Sequence, residues 1–170
     1  MQKKICLLGD FAVGKTSLVR RFVYDLFDDQ YISTIGVKVS RKTLWIPRAD
    51  APIELTLMVW DLAGSEEFNT VRASYLRGAA GAVIVCDLTR AETLEGIEAY
   101  AADFWSVNPR ARVLIAANKC DLTDHFEVNT PQIAHVAARL QTDYYLTSAR
   151  AGDQVETLFQ HLGQALVEAC

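Results

Sequence analysis

The sequence predicts an α/β fold: a mostly parallel six-stranded sheet with one antiparallel edge strand and helices on both faces. Three observations carry that reading. Short apolar runs alternate with amphipathic stretches along the chain, as parallel strands joined by crossover helices require. Several runs are apolar at successive positions, the pattern of strands buried on both faces. The turn-rich segment Pro47-Arg48-Ala49-Asp50-Ala51-Pro52 separates two long strand-like runs, which makes them an antiparallel hairpin with an extended tip.

The six strands are expected at 3–8, 37–46, 53–60, 82–87, 113–118 and 144–147. A first helix at 15–26 places Leu18, Val19, Phe22, Val23 and Leu26 on one stripe. Thr89 with Glu92 reads as a capping box ahead of Leu94, Ile97, Ala101 and Phe104. Thr130-Pro131 reads as an N-cap followed by a first-turn proline, leading into Ile133, Val136, Ala137 and Leu140. Asp153 with Glu156 opens a last helix carrying Val155, Leu158, Phe159, Leu162 and Leu166, with Gly152 marking its start.

Composition bounds the function. The 170 residues suit one domain, 1–170, and a content of 51% hydrophobic and 22% charged residues is that of a folded chain. The formal net charge of −4 argues against a nucleic-acid partner. The apolar run after Lys3-Lys4 stops at Gly9, too early for a signal peptide, and the stretch 78–86 is far short of the ~20 residues a membrane span needs. Gln2 rules out an N-terminal myristoyl site, and the last four residues are not a prenylation box. Membrane association is therefore not supported by the visible C-terminus, although Cys170 could in principle carry a lipid. Cys6, Cys86, Cys120 and Cys170 are not spaced as a metal clip and read as reduced thiols of a cytoplasmic monomer.

The strongest motif is Gly9-Asp10-Phe11-Ala12-Val13-Gly14-Lys15-Thr16. It follows the first strand and opens the first helix, the context a phosphate-binding loop requires. Its glycines let backbone N–H groups turn inward around phosphates, and the helix N-terminus adds favourable charge. Lys15 supplies a point charge to the terminal phosphates, and the Thr16 hydroxyl can bind Mg²⁺. A second motif selects the base. Strand five ends in Asn118-Lys119-Cys120-Asp121 and strand six in Thr147-Ser148-Ala149. A carboxylate at Asp121 accepts from the ring N–H and exocyclic amine that guanine presents together. Adenine lacks that pair and is rejected by ~10⁴ or more. Asn118 would tie the loops together, Lys119 would lie over the base, and the Ala149 N–H would meet the guanine oxygen.

With Asp61-Leu62-Ala63-Gly64 and Ser33-Thr34-Ile35-Gly36, the chain resembles the Ras-like small GTPases over essentially its whole length. It is most similar to the Rab branch, through Gly9-Asp10, Ile35-Gly36-Val37, Trp60 before Asp61, and Tyr75-Leu76-Arg77-Gly78-Ala79. The resemblance implies a P-loop GTPase (G domain) with GTP or GDP and Mg²⁺ as ligands. Nucleotide contacts fall to Ala12, Val13, Gly14, Lys15, Thr16 and Ser17, to Phe27 edge-on to the base, and to Tyr31 closing over the phosphates. Thr34 and Gly64 meet the γ-phosphate, and Asn118, Lys119, Asp121, Ser148, Ala149 and Arg150 surround the base. The metal falls to Thr16, to Thr34, and to Asp61 through water. Catalytic positions are Lys15, Thr34, Gly64 and Ser65. Effectors, exchange factors and activating proteins would meet switch I (28–38) and switch II (62–77), the segments that loss of the γ-phosphate releases.

Two residues depart from the family. Ser65 stands where a glutamine usually orients the attacking water, and its hydroxyl is too short to reach that water without help, for which Glu66, Glu67 and Asn69 stay open as substitutes. Misplacing the nucleophile by about an ångström costs on the order of 10²-fold, so hydrolysis should be slow. Phe11 stands where the family has a small residue. Its ring would fill space needed by a water-positioning side chain or an arginine finger, or merely pack against Leu62 or Phe68, and the two readings are compatible. Arg150 in place of lysine is a milder change. Arg72 and Arg77 read as surface or partner contacts. Two readings stay open: a slow GTP hydrolase that switches, and a binding module that holds nucleotide persistently. A P-loop nucleoside kinase is excluded by the guanine motif and the lack of an arginine-rich lid.

Overall fold

The computed structural model describes residues 1–31, 33–64 and 69–169. Six strands form one sheet in the order β2-β3-β1-β4-β5-β6. β1 (Gln2–Leu8), β3 (Ile53–Leu62), β4 (Gly81–Asp87), β5 (Arg112–Asn118) and β6 (Tyr144–Leu146) run parallel, and β2 (Val37–Ile46) runs antiparallel to β3 at the edge. β4 is buried at every position, as a central parallel strand must be.

Two cores sandwich the sheet. On one face α1 (Lys15–Tyr24) and α6 (Val155–Glu168) pack Leu18, Phe22, Phe159 and Leu162 against Ile5, Leu57 and Val83, and Phe22 stacks on Phe159 with ring centroids 4.0 Å apart. On the other, α4 (Ile97–Val107) and α5 (Thr130–Leu140) pack Ile97, Phe104 and Ile133 against Cys6, Ile84 and Ile115. Each fully buried side chain of this size contributes about 1.5–3 kcal/mol of transfer free energy, so the sheet is rigid and its loops are anchored. The C-terminal ends of β1, β4, β5 and β6 lie along one edge of the sheet, where open α/β sheets carry their sites.

Several helix ends differ from the sequence reading. α1 stops two residues early because Asp25 adopts a left-handed conformation (φ 53°) and donates its N–H to the Arg21 carbonyl, leaving Leu26 exposed. Thr89 does not cap a helix. Its hydroxyl donates to Asp87 at 2.7 Å, α3 (Ala91–Glu95) starts after Arg90, and Gly96 separates α3 from α4. α5 is capped one residue earlier than expected: Asn129 accepts from the Gln132 N–H at 2.9 Å and the Gln132 amide accepts in return, a capping box that outcompetes Thr130. Gln154, in a left-handed conformation, rather than Asp153, precedes α6, because the Asp153 carbonyl accepts from the Ser148 N–H. One helix, α2 (Asn69–Leu76), was not anticipated. β3 runs on through Leu62, pairing with Val37, so the hairpin reaches the two switch segments.

Candidate functional site

Lys15 is the first residue of α1 and only 6% exposed. Its Nζ donates to the carbonyls of Gly9 and Asp10, both at 2.8 Å, so the loop folds back around the ammonium. Burial pushes this amine down to about 8, while Asp61 and Asp10 pull it upward. An ammonium held at a desolvation cost beside a helix N-terminus is a site for an anion. Gly14 (φ 102°) cannot be replaced, because a Cβ there would sit 2.3 Å from Asn118 Nδ2.

Three oxygens converge next to Lys15. Thr16 Oγ1 donates to Asp61 Oδ2 at 2.5 Å and lies 2.5 Å from Thr34 Oγ1. Asp61 is 1% exposed, and its Oδ1 has no hydrogen-bond partner among the described residues. Burial raises this carboxyl's pKa, opposed by the Thr16 hydroxyl and Lys15. Two hydroxyls and a desolvated carboxylate oxygen are hard donors that fit Mg²⁺, which takes few protein ligands and relies on water and phosphate for the rest. Among the described residues there is no cluster of three His, Cys, Asp or Glu side chains, so softer-metal coordination is not offered.

Gly64 presses on the phosphate loop. A Cβ there would lie 2.7 Å from the Asp10 carbonyl carbon and the Phe11 nitrogen. The neighbouring Ala63 N–H donates to the Gly36 carbonyl at 2.9 Å, joining the two switch segments by backbone.

At the far end, Asn118 Nδ2 donates to the Val13 carbonyl at 3.0 Å, and Asn118 Oδ1 accepts from Thr147 at 3.1 Å. Lys119, left-handed at φ 69°, donates to the Ala12 carbonyl at 3.0 Å and places its ammonium 2.6 Å from the fully buried Asp87 carboxylate. Asp121 Oδ1 accepts from the Ser148 hydroxyl at 2.7 Å, and that hydroxyl accepts from the Ala151 N–H at 2.9 Å. The loops after β1, β5 and β6 are thus cross-linked.

One cavity of about 290 Å³ runs between these ends. Ala12, Gly14, Lys15, Thr16, Ser17, Phe27, Tyr31, Thr34, Gly64, Asn118, Lys119, Asp121, Ala149 and Arg150 line it, whereas Val13, Asp61 and Ser148 stand behind its wall. Ser65 lies outside the described residues, as do Phe68 and Cys170. The sequence reading missed Asp28, Asp29 and Gln30 at the mouth, where the Gln30 N–H donates to Asp28 Oδ1 at 2.9 Å. The signal was there: an Asp-Asp pair between two site aromatics is turn chemistry. The ring contact of Phe11 is to Tyr31, edge-on at 5.4 Å, and Arg90 Nη1 donates to the Phe11 carbonyl at 2.8 Å. Arg72 is not a free surface arginine. It donates to Asp103 at 2.6 Å and lies over the ring of Tyr100, whose hydroxyl donates to Asp10.

A sheet of this order, with a lysine-bearing loop ahead of α1 and a guanine-type motif after β5, defines a P-loop GTPase domain. Residues 4–168 match the model of the Ras family. The chain is 32% identical over 169 residues to the Ras-related protein SEC4 of Candida albicans, covering 99% of this chain and 79% of the relative. It is 37% identical to mouse Ras-related protein Rab-31 and 36% identical to mouse Ras-related protein Rab-22A, each over 165 residues, 96% of this chain and 82% of the relative. The chain belongs to the Ras family of small GTPases, on its Rab branch. It is accordingly a GTP-binding switch protein, of a class whose members engage effectors, exchange factors and activating proteins. No helix among the described residues is long and apolar enough to cross a membrane.

Proposed function

We propose that residues 1–170 act as one monomeric, cytoplasmic G domain that holds GTP or GDP with Mg²⁺ and hydrolyses GTP slowly. The observation that carries this reading is a single cavity with a buried ammonium at one end and the Asp121 carboxylate at the other, its walls cross-linked by Asn118 and Lys119. Lys15 and the N–H groups of 12–17 bind the β- and γ-phosphates. Thr16 and Thr34 would hold Mg²⁺ through their hydroxyl oxygens, and Asp61 would reach it through water. Bound Mg²⁺ supplies charge to the phosphate oxygens. Asp121 and the Ala149 N–H read guanine, with Ser148 holding the carboxylate. Thr34 and Gly64 sense the γ-phosphate, so its loss releases residues 28–38 and 62–77 and changes the surface that effectors, exchange factors and activating proteins meet. Ser65 leaves the attacking water poorly oriented.

Chromatography of the nucleotide released on denaturing fresh protein tests the binding. A single-turnover assay then tests hydrolysis. Phosphate release over hours, accelerated by Ser65→Gln alone and further with Phe11→Gly, is the expected result. A rate unmoved by either change would overturn the water-positioning account. Asp121→Asn should shift preference from GTP toward XTP, and unchanged GTP affinity would contradict the role of Asp121.

The second reading, a module that keeps its nucleotide, is favoured by the ring contact between Phe11 and Tyr31, two exposed residues that line the cavity. No phosphate release over many hours, with or without lysate as a source of activators, would establish it over the first.

A further inference from the structure

Arg21 lies on α1, the helix that opens with Lys15 and Thr16, and its guanidinium points away from the phosphates toward the loop after β6. Nε donates to the Ala149 carbonyl at 2.8 Å and Nη2 to the Arg150 carbonyl at 2.6 Å. Nη1 meets the exposed Asp25 at 3.1 Å. A planar fork with a separate nitrogen on each of two successive carbonyls ties down the two peptide planes between residues 149 and 151.

Those planes lead to the base. The peptide that offers the Arg150 carbonyl to Arg21 also carries the Ala151 N–H, which donates to Ser148 Oγ at 2.9 Å. Ser148 Oγ donates in turn to Asp121 Oδ1 at 2.7 Å. The other plane begins at Ala149, which is 4% exposed and lines the cavity. We propose that Arg21 is a positioning residue for guanine recognition: from the helix that binds the phosphates, it sets the loop that orients Asp121 and Ala149. The proposal rests on the guanine-nucleotide reading above. It makes α1 a shared support for both ends of the nucleotide, since the helix that opens with Lys15 and Thr16 also holds the loop after β6.

The test is the ratio of affinities for GDP and IDP, which differ in the exocyclic amine that Asp121 reads. Affinities of wild type, Arg21→Ala, Arg21→Lys and Asp25→Ala are measured by competition with a fluorescent GDP. General loosening of the fold weakens both nucleotides equally and leaves the ratio alone. Loss of positioning lowers it by about ten-fold, the fold-change carried by a weak hydrogen bond to a charged carboxylate. Arg21→Lys keeps the charge and most of the stem but loses the planar fork whose separate nitrogens reach Ala149 and Arg150, so its ratio should fall as well. It decides the matter if Arg21→Ala does not fold. Asp25→Ala, which removes the exposed ion pair and strains the left-handed end of α1 but leaves both loop carbonyls on Arg21, should keep the wild-type ratio. Arginine variants that retain the wild-type ratio would overturn the proposal while leaving guanine binding intact. A wild type that binds neither nucleotide would overturn the underlying reading and the proposal with it.

Discussion

Phe11 is the side chain that most distinguishes this phosphate loop. Half of it is exposed, its carbonyl is held by Arg90, and its edge meets Tyr31 across the cavity mouth. Aromatic pairs of this geometry contribute about 0.5–1.5 kcal/mol beyond their burial. The pair should therefore slow nucleotide escape. Stopped-flow release of a fluorescent GDP is expected to be several-fold faster in Phe11→Ala and in Tyr31→Ala, and the double variant should be no faster than either. Additive effects would mean that the rings act separately. The sequence marked Phe11 as unusual and offered Leu62 or Phe68 as its neighbours; the ring contact among the described residues is with Tyr31, and Phe68 lies outside them. Only chain geometry decides which ring it meets.

At the scale of elements, the capping assignments show where local reading stops. Thr89, Thr130 and Asp153 each stand at a plausible helix start, and each is displaced by a neighbour. Thr89 is taken by Asp87, which the β4 ladder delivers to the base of the loop. Thr130 loses to Asn129 because only residue 129 has Gln132 three positions on to complete the reciprocal pair. Asn129→Ala should cost about 1 kcal/mol in urea unfolding, the usual loss of an N-cap. Thr130→Ala should cost far less, and the reverse order would restore Thr130 as the cap. α2 escaped the sequence reading because Asn69-Thr70-Val71-Arg72-Ala73-Ser74-Tyr75-Leu76 has too few apolar residues for a stripe. Its order is tertiary in part: Arg72 pairs with Asp103 and Tyr100 on α4.

At the scale of the molecule, the two cores differ in chemistry. The core under α4 and α5 contains Cys6 and Cys86, both wholly buried. Burial pushes both thiols up to about 12 from an ordinary 9.0, with Lys4 opposing it at Cys6 and Asp87 adding to it at Cys86. The unfolded thiols ionise first, so above pH 9 the unfolded state holds fewer protons. Their contribution to stability is complete below pH 9 and falls as pH rises toward 12. The slope is about 1.4 kcal/mol per pH unit for each thiol. Unfolding free energies of wild type and Cys6→Ala/Cys86→Ala, compared from pH 8.5 to 10.5, should converge, approaching about twice that slope above pH 10 because two thiols are removed. Parallel curves would show that the thiols are not desolvated as the burial indicates.

The sequence by itself determined the sheet and the family to which its two motifs point, because glycine placement, strand hydrophobicity and the lysine and aspartate positions are local and chemically restrictive. It could not determine which side chains hold those motifs in place. The Asn118–Val13, Lys119–Asp87, Arg21–Ala149 and Phe11–Tyr31 contacts join segments far apart in the chain. Their partners are chosen by the order and register of the strands, since packing two cores against one sheet sets which loops meet at its edge. That choice is made by the burial of the whole chain, and no short stretch of sequence encodes it.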